Sequence, residues 1–325
     1  MTRNGSLVIE FSNDGLAENI FNATWLLVIF ILNVSSNIVV IGATRRKAIY
    51  CSHISLFVIK NLAISNLLIG FFAVGPSFAV ICRNKMDLLS CRIMDSVKPP
   101  LVLPSILFSM SVNLEKLLSM NKPIMARKLS LWPRGYLYVI VSWNIAILTQ
   151  IFALRNPNET LYYDSVANTC MRELGPLKTT NMVMRVVYVF VFHACPSIAN
   201  AIICFIMARR VSILTTSKSQ QRGAVKALLW IAIIDILISL PLLVLAFFLN
   251  TPQRQLSELS FLAHYRFRRF VIFTLYTKSC TTGIIFYATL KSFRLYVNRI
   301  LWKKLCDSVR WKLICMRVKL NRMMR

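Results

Sequence analysis

SVNLEKLLSMNKPIMAR, from Ser111 to Arg127, is the stretch whose reading decides the fold. An apolar run enters it from Leu101, an acid and a base stand side by side at Glu115 and Lys116, and Lys122, Pro123 and Arg127 follow. A long apolar helix that ends in bases and a proline reads as a membrane span emerging into cytosol. Outward from it, the whole chain has the matching composition: 325 residues, 56% hydrophobic and 16% charged. That is too apolar for an average soluble domain. The formal charge of +27 would suit nucleic acid, but a basic groove on a soluble fold does not come with repeated apolar runs. Membrane topology explains the bases better, and no nucleic-acid partner is expected.

The runs predict spans at roughly Trp25 to Thr44, Ile54 to Val80, Met94 to Met120, Gly135 to Leu154, Met182 to Ala208, Ala224 to Leu249 and Phe270 to Leu290. Each has about the 20 residues that cross a bilayer. The expected fold is an all-α membrane protein, a bundle of seven transmembrane helices over residues 25–290 with an amphipathic C-terminal helix and basic tail over 291–325. Bases cluster at Arg45 to Lys47, between Lys122 and Arg134, between Arg209 and Lys226, and from Lys291 to Arg325. The positive-inside bias assigns these segments to the cytoplasm and residues 1–24 to the exterior of the plasma membrane. Nine of the twelve acids fall on the opposite side, so the assignment does not merely reflect general basicity.

Residues 1–24 are polar and carry no apolar core before a cleavage site, so the first span is expected to act as an uncleaved signal anchor. Asn4, Asn22 and Asn158 head glycosylation sequons; Asn33 heads another inside an apolar run and is set aside. The tail begins with Phe293, Tyr296, Ile300 and Leu301 on one helical side and Arg294, Arg299, Lys303 and Lys304 on the other. Such a segment lies along an inner leaflet and binds anionic lipid, with Cys306 or Cys315 available for acylation. Nine cysteines exclude a closed disulfide framework. Cys91 and Cys170 both fall on the outer, oxidising side, with Cys82 a rival partner for either; Cys51, Cys195, Cys204 and Cys280 read as packing residues.

Taken in order, these markers resemble the rhodopsin-like (class A) G-protein-coupled receptors, in a divergent form. Asn37 in SSNIVV matches the asparagine of that family's first span, and NLAISNLL from Asn61 to Leu68 matches its NLAxxDLL with Asn66 for the aspartate. Lys116 follows Cys91 by 25 residues, so Glu115-Lys116-Leu117 stands for Asp-Arg-Tyr. Trp143, Pro196 and Pro241 match the single markers of spans four to six, and TGIIF from Thr282 to Phe286 stands for NPxxY. The resemblance covers about Trp25 to Cys306. It implies an outer disulfide between Cys91 and Cys170, an extracellular ligand, and a heterotrimeric G protein contacted through Glu115, Lys116, Pro241 and Phe286. It implies no enzyme and no cofactor.

Departures from the pattern carry chemistry of their own. Lys116 keeps the charge of the motif arginine without its planar fork, so coupling is weakened or altered. Asn66 and Thr282 remove the carboxylate that binds sodium in relatives. Ser239 stands where a tryptophan is usual, and Gly283 replaces the seventh-span proline. Pro99, Pro100 and Pro104 are expected to interrupt the outer half of the third helix unless it is kinked or unwound. A divergent receptor that no longer signals is therefore one alternative.

Ionisable residues inside a membrane are functional candidates. Lys98, two turns beyond Cys91, repels amines; Asp235 and Lys278 are the other two, with mutual pairing the plain structural reading and a ligand role for Lys278 the functional one. Tyr276 occupies the place of the opsin lysine, which argues against retinal. Arg266, Arg268 and Arg269, with further bases on the outer segments, predict a rim that attracts anionic ligands or acidic peptides, Lys98, Lys278 and Arg268 being the residues expected to bind them. His53, His193 and His264 form no metal motif and no phosphate loop is visible. The rival class is a seven-span transporter or channel using Lys98, Asp235 and Lys278, but no paired repeat supports it.

Overall fold

The computed structural model describes residues 13–46, 49, 53–83, 88–121, 134–154, 159–164, 169–174, 187, 190–213, 219–248 and 258–300. Its helices are α1 (Asn13–Arg45), α2 (His53–Ile69), α3 (Gly75–Arg83), α4 (Leu88–Asn121), α5 (Arg134–Leu154), α6 (Cys195–Ile213), α7 (Ser219–Phe248) and α8 (Glu258–Thr289). A further helical segment covers residues 291–300. Among the described residues, four segments are long and apolar enough to cross a membrane: Ala17–Arg45, Ser55–Ala79, Leu101–Ser119 and Arg269–Thr289. At 1.5 Å per residue, the 33 residues of α1 extend about 50 Å, well over a hydrocarbon core of about 30 Å.

The helices form a closed ring in which α1 packs on α2 and α8, α2 on α4, α4 on α6, α6 on α7, and α7 on α8. Helix α4 also touches α5 and α7, so residues 111–121 lie on the central rod. The ring exposes apolar side chains on its outside and buries polar ones between apolar cores within. Ile31, Leu137 and Leu237 are 56%, 60% and 61% exposed, whereas Asn33, Asn37, Asn113 and Asn200 are fully buried. Water would penalise the first set and hydrocarbon the second, so the described surface suits lipid rather than water.

Several expectations are corrected. Helix α1 starts at Asn13 and its apolar span at Ala17, not at Trp25. Its first turns are polar on only part of their surface: Asn22 is 3% exposed, and Glu18 is clamped by Arg269 of α8, with Nη1 to Oε1 at 2.7 Å. Asn22, which heads a sequon, thus has its side chain buried on α1. Helix α4 runs unbroken through Pro99, Pro100 and Pro104. Pro104 is buried, and Ser65 Oγ of α2 donates to the Leu101 carbonyl in the same turn, the kind of neighbour contact that lets a membrane helix tolerate proline. The described residues are helical as expected apart from one short hairpin, in which Glu159–Asp164 pairs antiparallel with Thr169–Leu174, Tyr163 opposite Cys170. This β1–β2 hairpin lies against α4.

Two other prolines are accommodated by wider turns. The π-helical turns Gly70–Val74 and Phe190–Ala194 end immediately before Gly75-Pro76 and Cys195-Pro196. Within the first, the Gly75 amide reaches back to the Gly70 carbonyl. An extra residue in the preceding turn moves the carbonyl that the proline ring would otherwise strike.

Candidate functional site

Two apolar cores divide the bundle along its length. Leu26, Ile69, Val74, Leu101 and Tyr276 belong to one, near the hairpin; Val40, Ile59, Val112, Leu228, Phe286 and Phe293 belong to the other. Between them lies a layer of buried polar side chains, and at the far side of the second core lies a crevice.

The layer has two halves. In the first, Asn37 Nδ2 donates to the carbonyls of Asn33 at 2.8 Å and Ser279 at 2.9 Å, joining α1 to α8. Asn33 Nδ2 donates to the Asn66 carbonyl at 3.0 Å and to Ser279 Oγ. Asn66 Nδ2 lies 3.5 Å from Asn37 Oδ1, and Asn66 Oδ1 accepts from Ser105 Oγ of α4 at 3.2 Å. An amide at Asn66 is thus both donor and acceptor, which an ionised carboxylate there could not be.

In the second half, Lys278 Nζ of α8 sits 2.8 Å from Asp235 Oδ1 of α7, their side chains 10% and 0% exposed. Asn200 Nδ2 of α6 donates to Asp235 Oδ2 at 3.3 Å and to Ser109 Oγ of α4 at 3.0 Å, and Asn113 Nδ2 donates to Asn200 Oδ1. Four helices are joined through one carboxylate and one amide. A buried charge is tolerable only when paired and hydrogen-bonded, and both conditions are met here. Ser279, next to Lys278, connects the two halves.

The crevice lies at the end of the bundle that carries Arg45, Arg209 and Lys291. Ser55, Val112, Lys116, Leu228, Phe286 and Leu290 line it, from α2, α4, α7 and the end of α8. Ser55 Oγ donates to Glu115, so the acid beside Lys116 is bound toward α2. Phe286 stacks edge-on against Phe293 of the 291–300 segment at 6.0 Å, and Tyr296 packs so close to α1 that a Cβ on Gly42 would lie 2.7 Å from its hydroxyl. Phe293 is buried while Arg294 and Arg299 are exposed, the two-sided pattern read from the sequence.

Of the residues singled out by sequence, Asn37 and Asn66 meet in the layer, Asp235 and Lys278 pair, and Lys116 and Phe286 share the crevice. Trp143 packs edge-on against Phe108 of α4 at 6.0 Å. Pro196 follows a π turn and Pro241 lies inside α7. Tyr276 is buried, its hydroxyl 3.0 Å from Ser77 Oγ. Arg269, one of the rim bases, is bound to Glu18. Cys82 is an exposed free thiol, and Cys195, Cys204 and Cys280 are free. The side chains of Cys91, Lys98, Cys170, Ser239 and Arg268 lie outside the described residues, as do Asn4 and Asn158 entirely. Among the described residues no group of three metal-ligating side chains occurs.

The sequence reading missed Asn33, Asn113, Asn200 and Ser279. Asn33 was set aside as a sequon, and Asn113 stands unremarked inside the opening quotation. Each asparagine interrupts an apolar run, and a polar side chain at membrane depth seeks a partner on another helix. That signal marks the residues, although it does not say which partner each finds. No protein-family model matches the chain, and no curated protein is significantly similar to it.

Proposed function

We propose that the chain is a cell-surface receptor whose seven helical rods all cross the plasma membrane, with the N-terminus outside and the C-terminus in the cytoplasm, and which activates a heterotrimeric G protein. The observation that carries this reading is the crevice at Lys116. It lies toward the end of the bundle where exposed bases collect, between α4 and the start of α7, and it is walled by Phe286 and Leu290, where α8 hands over to the 291–300 segment. Helix α7 carries Pro241 within its length. The missing amide weakens the helix there, so its Lys226 half can tilt outward and widen the crevice. Exposed apolar residues on α6 and α7, among them Ile202, Phe205, Trp230 and Leu240, support a lipid-facing position for rods beyond the four that qualify as spans. The ligand side is the hairpin end, and an anion is the class that Lys98 and Arg268 would favour.

Nucleotide exchange on G proteins in membranes from cells expressing the chain tests this, with anionic metabolites and acidic peptides as candidate ligands and Lys116→Ala as control. The expected result is exchange above vector-only membranes that Lys116→Ala abolishes. Exchange undiminished by Lys116→Ala removes the crevice from the mechanism.

A further inference from the structure

On the Lys226 side of Pro241, helix α7 is packed into the apolar core through Val225, Leu228 and Ile231, and two of its other contacts differ in kind. At its start the backbone itself abuts α8, since a Cβ on Gly223 would lie 2.9 Å from the Thr289 carbonyl oxygen. Three turns on, Asp235 and Lys278 close at 2.8 Å, with Asn200 bonded to the same carboxylate. The first contact is shape alone and gives way to a small tilt. The second is an almost wholly buried charge pair, and it resists gradual separation, because parting the charges weakens their attraction at membrane depth. It therefore favours two discrete arrangements over a continuum.

We infer that the Asp235–Lys278 pair, braced by Asn200, is a latch that holds α7 against α8 and keeps the Lys116 crevice narrow. Three observations combine here: the pair joins neighbouring rods of the ring, it lies on the same side of Pro241 as the crevice wall at Leu228, and Asn200 ties it to α6 and α4. Separation of the pair would release the Lys226 end of α7 about Pro241. Its role as a control on signalling rests on the receptor reading above; its role as a mechanical latch does not.

The test uses the full chain in lipid nanodiscs, with spin labels attached through non-canonical residues at positions 226 and 291. Both are exposed, one near the start of α7 and one just past α8. Asp235→Asn and Lys278→Met each remove one charge, and Asp235→Asn keeps the shape of the side chain and an acceptor for Asn200. Both are expected to lengthen the mean label separation, and the exchanged pair Asp235→Lys with Lys278→Asp to restore it. In the same variants basal nucleotide exchange is expected to rise about tenfold, within the usual range of coupling between sites. A separation unchanged from wild type in both single variants overturns the latch. Lengthened separation with no nucleotide exchange from any form, wild type included, upholds the latch and overturns the receptor reading.

Discussion

At Gly283 a Cβ would stand 2.7 Å from the Ser36 Cβ and 3.1 Å from the Ser36 carbonyl oxygen. Helices α1 and α8 meet there through backbone, as small residues allow in membranes, and this accounts for a glycine where the family resemblance leads one to expect proline. Gly283→Ala is expected to cost about 1–3 kcal/mol, as overpacking generally does, read as a lower apparent Tm in detergent. Adding Ser36→Gly should recover part of the loss, because it removes the closer of the two contacts. An unchanged Tm in Gly283→Ala would mean the helices can slide apart freely. Asn22 offers a second check, since its side chain is buried on α1. Gel mobility of the expressed protein should be the same for wild type and Asn22→Gln, and a faster-migrating variant would show that this asparagine carries sugar. The three-residue pattern alone predicted the opposite, because it says nothing of which face of a helix the asparagine occupies.

At the scale of elements, the 291–300 segment is tied to the bundle by Phe293 against Phe286 and by Tyr296 against Gly42. Phe293→Ala is expected to cost about 3 kcal/mol, the lower end for a buried phenylalanine. Limited proteolysis should then cut after Arg294 and Arg299 faster than in wild type; equal rates would mean that the segment docks without Phe293. This element was legible in advance because its apolar and basic residues recur at helical spacing. The long helices were legible from their apolar runs, whereas the start of α1 was not. From Asn13 to Thr24 the polar residues outnumber the apolar ones, and only the clamp from Arg269 and the burial of Asn22 show why the helix begins so early. The continuity of α4 through its three prolines was equally hidden, since it depends on the neighbours that flank it. The hairpin depends on pairing between strands that no apolar run announces.

For the whole molecule, the sequence marked Asn37, Asn66, Asp235 and Lys278 and offered the pairing of the last two, but it indicated neither Asn33, Asn113, Asn200 and Ser279 nor the network they build. Asp235 and Lys278 are 43 residues apart, and Asn33 and Ser279 are separated by 246. Only closure of the ring through α1 and α8 brings the latter pair together, and closure follows from packing rather than from any local pattern. The proposed receptor rests on one central claim, that one end of the bundle faces the cell exterior and the basic end faces the cytoplasm. The side of the membrane on which each end of the chain lies can be read directly by placing one epitope tag at each end and staining intact and permeabilised cells. The account predicts that the N-terminal tag stains intact cells and that the C-terminal tag stains only after permeabilisation. Both tags staining intact cells, or neither doing so when the protein has reached the cell surface, would contradict it.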